Sequence, residues 1–179
     1  ITGASSGIGE EFARRYAAKK HDLVLVARRR DRLDSLAEEL RDRDSVEVTV
    51  IPADLSEPDA AEHLWNETSR MGLRVDVLVN NAGFGTGKDV VDDDPERLEQ
   101  EVRLNCLAVV GLTARYLPAM RERKGGTIIN VSSAAAFQPM PHMAVYGATK
   151  AFVLSFTEAL WRETRKDGIR VLAVCPGST

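Results

Sequence analysis

Five short apolar runs punctuate the chain: LVLVA (Leu23 to Ala27), VEVTVI (Val46 to Ile51), VDVLVN (Val75 to Asn80), TIINVS (Thr127 to Ser132) and RVLAVC (Arg170 to Cys175). They read as buried strands. Amphipathic stretches of helical spacing lie between and around them, over Gly7 to Lys19, Asp31 to Arg43, Pro58 to Met71, Pro95 to Arg123 and Ala144 to Lys166. Buried strands alternating with helices imply right-handed crossovers and a parallel sheet covered on both faces. The expected architecture is therefore α/β, a doubly wound parallel sheet in three layers. The prolines of AAAFQPMPHM, Ala134 to Met143, mark a loop. No repeat, low-complexity segment or linker divides residues 1–179, so the expectation is a single domain. Both ends read as incomplete: Ile1 leaves almost no strand before the first glycine cluster, and CPGST follows directly on a strand.

Composition narrows the functional classes. A chain of 179 residues, 44% apolar and 28% charged, suits one soluble domain with a sizeable core. A net charge of -3 gives no electrostatic case for nucleic acid or an anionic membrane. No apolar run approaches the ~20 residues of a membrane span, and no signal peptide is visible. Cys106 and Cys175 both lie in apolar runs and read as buried thiols of a reducing, cytoplasmic compartment. Three scattered histidines offer no metal-ligand spacing, so no metal is expected.

The chain opens TGASSGIG, with Gly3, Gly7 and Gly9 ahead of an amphipathic helix and Ser5, Ser6 and Ile8 between them. Glycines there permit a tight turn and close approach of a pyrophosphate, and the helix start offers free N–H groups. After LVLVA comes a run of arginines, Arg28 to Arg30, where an NAD site usually carries an acid. A carboxylate repels a 2′-phosphate and a guanidinium holds it. The pattern points to NADP(H) rather than NAD, with Arg28 the best single candidate and Arg29 beside it. Asp54 and Leu55 follow VEVTVI, and Asp54 serves either an adenine amine or a helix cap before Pro58. Asn80, Asn81, Ala82 and Gly83 end the VDVLVN run; amides placed there need partners, and the small residues let a ring system approach the backbone.

Tyr146 and Lys150, four residues apart, share one face of a helix. Free tyrosine titrates near ~10. A neighbouring ammonium favours the phenolate, and the positive helix end acts the same way on a first-turn residue. Upstream, Ser132 and Ser133 close the TIINVS run and should face opposite ways while the strand persists. Asn105 sits in a long apolar helix, where a buried amide needs a partner and a purely structural role stays open.

Together these motifs resemble the compact branch of the short-chain dehydrogenase/reductase family, across essentially the whole chain. The matching residues are Thr2-Gly3, Gly7-Ile8-Gly9, Asp54, Asn80 to Gly83, Asn105, Ser133, Tyr146, Lys150 and Pro176-Gly177. The resemblance implies a Rossmann fold and a catalytic set of Asn105, Ser133, Tyr146 and Lys150. Tyr146 would be the general acid in carbonyl reduction. Lys150 would ease its ionisation and hold the nicotinamide ribose, and Ser133 would hydrogen-bond the substrate oxygen. Asn105 would bind a water linking Lys150 to solvent, and Pro176 and Gly177 would join the cofactor site. The family also continues past this chain's end with a further strand and a substrate-covering loop.

The expected function is NADPH-dependent reduction of an apolar ketone: a 3-oxoacyl thioester, a steroid-like ring or an aryl ketone. The walls would be Phe84 to Gly87, Ala134 to Val145 and the Pro176 turn. Other readings are an NAD-linked alcohol dehydrogenase and a nucleotide-binding sensor without turnover. His142 reads as a loop residue rather than a catalyst. Surplus apolar residues on the last two helices, including Leu112, Phe152, Phe156 and Trp161, suggest a homodimer or homotetramer.

Overall fold

The computed structural model describes residues 1–177. In chain order it contains α1 (Gly7–Ala18), β1 (Leu23–Ala27), α2 (Arg30–Asp44), β2 (Val48–Pro52), α3 (Ala60–Arg70), β3 (Val77–Asn80), α4 (Pro95–Val102), α5 (Ala108–Glu122), β4 (Gly126–Val131), α6 (Ala144–Thr164) and β5 (Ile169–Val174). A π-helical turn, Arg103–Leu107, joins α4 to α5. Every strand pairing is parallel: β1 with β2, β3 with β4, and β4 with β5.

The first residues close the gap between β1 and β3. The Ile1 carbonyl accepts from Val26 N at 3.0 Å, and Thr2 N donates to the Val79 carbonyl at 3.0 Å. Thr2 also bridges Val26 in parallel register. The order is therefore β2, β1, residues 1–2, β3, β4, β5. Ile1 and Thr2 thus lie at the centre of the sheet, bonded to the strand on either side.

Strand alternation assigns the two faces. Leu23, Leu25 and Val48 pack with Ala13 and Ala17 of α1 and Leu33, Leu36 and Leu40 of α2. Val26, Ile51, Leu78, Ile128 and Val171 pack on the opposite face with Leu64 of α3, Leu112, Tyr116 and Met120 of α5 and Leu160 of α6. Each fully buried leucine contributes ~1.5–3 kcal/mol over its exposed state.

Several boundaries differ from the sequence reading. The expected helix at Pro58 starts at Ala60, because Asp59 takes a left-handed φ of 59°. The expected single helix from Pro95 to Arg123 is interrupted by its π-turn. The 134–143 loop contains a 3-10 turn, Ala134–Phe137. Leu112 is core rather than assembly surface, whereas Phe152 and Trp161 stand exposed. Cys106 is buried, but Cys175 is only half-buried, since β5 ends at Val174.

Candidate active site

The carboxyl ends of the strands open onto a cleft of about 820 Å³. Crevices at this edge are the ligand sites of open parallel α/β sheets. The cleft runs from the β1 and β2 ends, at Arg28 and Asp54, to the β4 and β5 ends, at Ser133 and Pro176.

The glycine turn forms its floor. Gly3, Ser5, Ser6 and Ile8 line the cleft, and Gly7 begins α1. Gly9 lies behind the turn, where any Cβ would collide with the Gly3 carbonyl and the Asn81 amide. Thr2 locks the turn to the sheet: its hydroxyl donates to the Val79 carbonyl at 3.2 Å and accepts from Asn81 N and Ala82 N at 2.9 and 3.0 Å. The Asn81 amide donates to the Thr2 and Gly3 carbonyls at 2.9 and 3.3 Å. Asn81, Ala82 and Gly83 thus line the cleft with the Asn81 side chain committed to holding the turn.

The two cleft arginines differ. Arg29 donates through one nitrogen to Ser5 Oγ at 3.0 Å and Ser6 Oγ at 2.8 Å. Arg28 is largely exposed and lies 3.6 Å from Asp54. Asp54 accepts from Ser56 Oγ at 2.7 Å and Ser56 N at 3.0 Å. Partial burial pushes its carboxyl up, but the Ser56 hydroxyl and amide and the Arg28 guanidinium together hold it below its ordinary value. The helix-cap alternative for Asp54 is corrected, because Asp59 occupies the position before α3 and Asp54 stabilises its own turn.

At the far end, Tyr146 lies in the first turn of α6 and Lys150 one turn later. Lys150 Nζ stands 5.7 Å from the Tyr146 ring centroid and donates to the Val131 carbonyl at 2.9 Å. Burial draws the Lys150 ammonium below the ordinary lysine range, and the acidic groups Cys106, Glu101 and Cys175 offset this only in part. Burial likewise pushes the Cys106 thiol up to about 11, with Lys150 pulling the other way.

The two serines lie just past the end of β4 and have different partners. Ser132 is buried and donates to the Lys150 carbonyl at 2.7 Å. Ser133 lines the cleft, and its hydroxyl accepts from Ala135 N at 3.1 Å.

Asn105 lies on the π-turn, buried and off the cleft lining. Its amide donates to the Phe84 carbonyl and Thr149 Oγ1 at 2.9 and 3.0 Å and accepts from Phe84 N at 3.2 Å. Its side chain thus clamps the loop at Phe84 to Thr149.

The family profile described as short chain dehydrogenase matches residues 1–179. The chain belongs to the short chain dehydrogenase family. It is 34% identical over 181 residues to the human very-long-chain 3-oxoacyl-CoA reductase, covering 98% of this chain and 57% of that protein. The bovine protein of the same name is 35% identical with the same coverage. The chain therefore spans little more than half the length of these relatives. Among solved structures, a bulky-bulky ketone specific alcohol dehydrogenase from Comamonas testosteroni superposes with a TM-score of 0.95 at 38% identity, over all of this chain and 71% of the other. A short-chain dehydrogenase from Sphingobium yanoikuyae, solved with NADPH, gives a TM-score of 0.95 at 42% identity, over all of this chain and 70% of the other.

Within this short chain dehydrogenase, Leu55, Pro176 and Gly177 also line the cleft, and the Pro176 carbonyl accepts from Ala134 N at 2.8 Å. Gly7, Gly9 and Asn105 support it from behind. His142 is exposed and pairs with Asp89 at 2.7 Å. Sequence reasoning passed over Glu101 and Asn130. Asn130 had a legible signal, an amide inside an apolar strand. In register with Asn80, it accepts from that amide at 2.9 Å and donates to Thr157 Oγ1 at 2.9 Å.

Proposed function

We propose that this chain forms one dinucleotide-binding domain, residues 1–179, that carries both cofactor site and catalytic site of an NADPH-dependent ketone reductase. The observation that carries the reading is a single cleft. Arg29 lies on the serines of the glycine turn at one end, and Ser133, Tyr146 and Lys150 converge at the other.

The residues present fit NADP(H). Gly3 and Gly9 let the turn pack closely on Asn81 and Ala82, where a Cβ would collide, and two guanidinium groups flank its outer end. Arg28 and Arg29 would hold the 2′-phosphate, with Arg29 the better placed because Ser5 and Ser6 fix it. The first turn of α1 would take the pyrophosphate. Asp54 and Leu55 would flank the adenine, with Asn81 to Gly83, Pro176 and Gly177 around the nicotinamide half. When bound, NADPH supplies the hydride.

The protein's own residues then have one proton and one oxygen to manage. Ser133 and Tyr146 hydrogen-bond the carbonyl oxygen as alkoxide character grows there. Tyr146 delivers the proton. Lys150 lies beside the ring with its Nζ donating to the Val131 carbonyl, and would hold the nicotinamide ribose. Asn105 keeps Phe84 and its loop against this constellation.

Phe84, Met140 and Met143 give the substrate end an adaptable apolar wall. This supports a ketone with a bulky apolar arm, and the 3-oxoacyl and bulky-ketone names among the relatives point the same way. We also propose a homo-oligomer, supported by the exposed Val102, Leu107, Phe152 and Trp161. A cytoplasmic location is supported by the two free cysteines. Among the described residues no helix is long and apolar enough to cross a membrane. The decisive test uses the full-length protein and its Tyr146→Phe variant, assayed for NADPH oxidation with 3-oxoacyl thioesters, steroid ketones and aryl ketones. Turnover by the wild type and at least a hundredfold loss in the variant is expected. Near-full activity in the variant would overturn the assignment.

A further inference from the structure

A buried acid outside the proposed catalytic set contacts the loop that backs Tyr146. Glu101 is the one buried residue of α4 and is wholly enclosed. Its Oε2 accepts from both donors of Thr86, Oγ1 at 2.7 Å and N at 3.2 Å, and its Oε1 has no hydrogen-bond partner among the described residues. An enclosed carboxyl is costly at a position where an apolar side chain would pack without that cost. One turn further on, Asn105 grips both backbone groups of Phe84. Glu101 and Asn105 therefore hold alternate loop residues, Thr86 and Phe84, from successive turns of one helical stretch. Gly85, between them, faces the other way: a Cβ there would stand 2.8 Å from Cδ2 of Tyr146. The loop is sandwiched between two side-chain clamps and the tyrosine ring, so its depth on α4 sets where the ring can rest.

We propose that Glu101 is a positioning residue for Tyr146, acting through Thr86 and the 83–87 loop. The inference rests on the reading of the cleft as a Tyr146-dependent carbonyl reductase. Glu101 touches neither substrate nor cofactor; it fixes the wall against which the proton donor is aligned. The contact requires an acceptor rather than a charge. Burial pushes the Glu101 carboxyl up from its ordinary value, while the Thr86 hydroxyl and amide pull the other way.

The test compares Glu101→Gln, Glu101→Leu and Thr86→Val in the full-length protein. Glutamine keeps an oxygen for both Thr86 donors; leucine fills the space and accepts nothing. The expected result is a kcat for ketone reduction within about threefold of wild type for E101Q and a ten- to hundredfold loss for E101L, the scale of a small misplacement. NADPH affinity, read by fluorescence, should stay within about threefold in both. Thr86→Val removes one donor and should give a loss between the two, which keeps the test open if E101L does not fold. A second readout needs no turnover: the titration of Tyr146, followed by the 13C signal of its ring Cζ and assigned with Y146F. That titration should move in E101L and stay in place in E101Q. The proposal is overturned if E101L and T86V keep wild-type kcat and Tyr146 titration while losing only thermal stability. Equal losses in E101Q and E101L overturn it too, since charge rather than the contact would then matter. Absence of ketone turnover in the wild type would remove the reductase reading, and the Tyr146 titration would still decide whether Glu101 positions the ring.

Discussion

The ring of Tyr146 lies directly on Gly85: a Cβ at that glycine would come within 2.8 Å of Cδ2, 3.1 Å of Cγ and 3.3 Å of Cε2. Ring atoms have no flexible end to move aside, and Asn105 and Glu101 anchor the loop from behind. Gly85→Ala should therefore displace the phenol rather than the loop. The expected outcome is a ten- to hundredfold fall in kcat, since a shift of about 1 Å costs on that order. NADPH affinity should change little, because Gly85 lies far from the Arg29 end of the cleft. Steady-state kinetics paired with a fluorescence titration of NADPH checks both halves.

Arg29 and Arg28 should contribute unequally to discrimination between NADPH and NADH. Arg29 is held ready by Ser5 and Ser6, whereas Arg28 extends into solvent with only a 3.6 Å contact to Asp54. A preorganised guanidinium loses less freedom when it binds a phosphate. Hydrogen bonds to charged groups contribute ~1.5–3 kcal/mol, so Arg29→Ala should raise the NADPH Kd by roughly ten- to hundredfold. Arg28→Ala should raise it severalfold at most, and NADH binding should be nearly unaffected by either change. Calorimetry with both cofactors measures this, and equal effects from the two variants would contradict the ranking.

Local chemistry explains what the sequence made legible. The strands were readable because LVLVA and TIINVS are buried on both faces and carry no polar interruption except Asn130. Tyr146 and Lys150 were readable as a pair because their spacing is fixed within one helix, whereas only the family resemblance separated Ser133 from Ser132. The relative merit of Arg28 and Arg29 was not, because it depends on which guanidinium the serines of a loop 24 residues away can reach. Glu101 was equally hidden: on the surface of an isolated α4 it is one acid among several. Only the fold of the 83–87 loop over it makes it the enclosed one. Asn105 reads as a lone polar residue in an apolar helix, and its partner Phe84 lies 21 residues upstream in a loop without periodicity.

The paired amides of Asn80 and Asn130 should contribute substantially to stability. They face each other in register across β3 and β4, and Asn130 continues the chain of bonds to Thr157 on α6. Both are buried, so truncating one leaves the other's donor or acceptor unpaired. Such a loss costs about 1–3 kcal/mol. For a domain of this size that lowers Tm by roughly 2–4 °C per kcal/mol. Asn130→Ala should fall at the upper end because it breaks bonds on both sides and also leaves a cavity. Calorimetric unfolding of Asn80→Ala, Asn130→Ala and the double variant tests the coupling. The double variant should be less destabilised than the sum of the two singles.

Lys150 should trade stability for chemistry, and pH gives the sign. Burial lowers its folded-state value below the unfolded one, so protonation is harder in the native protein than in the denatured chain. The neutral form's preference for the fold therefore contributes fully above the ordinary lysine value of 10.5. That contribution is lost as pH falls through the lowered folded value, and at lower pH the buried ammonium is a net cost. Lys150→Met removes the ammonium and keeps most of the side-chain volume, while giving up the bond to Val131. The variant should be inactive with every ketone yet unfold a few degrees higher than wild type near neutral pH. The gap should narrow as pH is raised toward 10.5. Thermal unfolding of both proteins across that range measures the trend. A gap that widens with rising pH would mean the cation is stabilised in the fold, contrary to its enclosure.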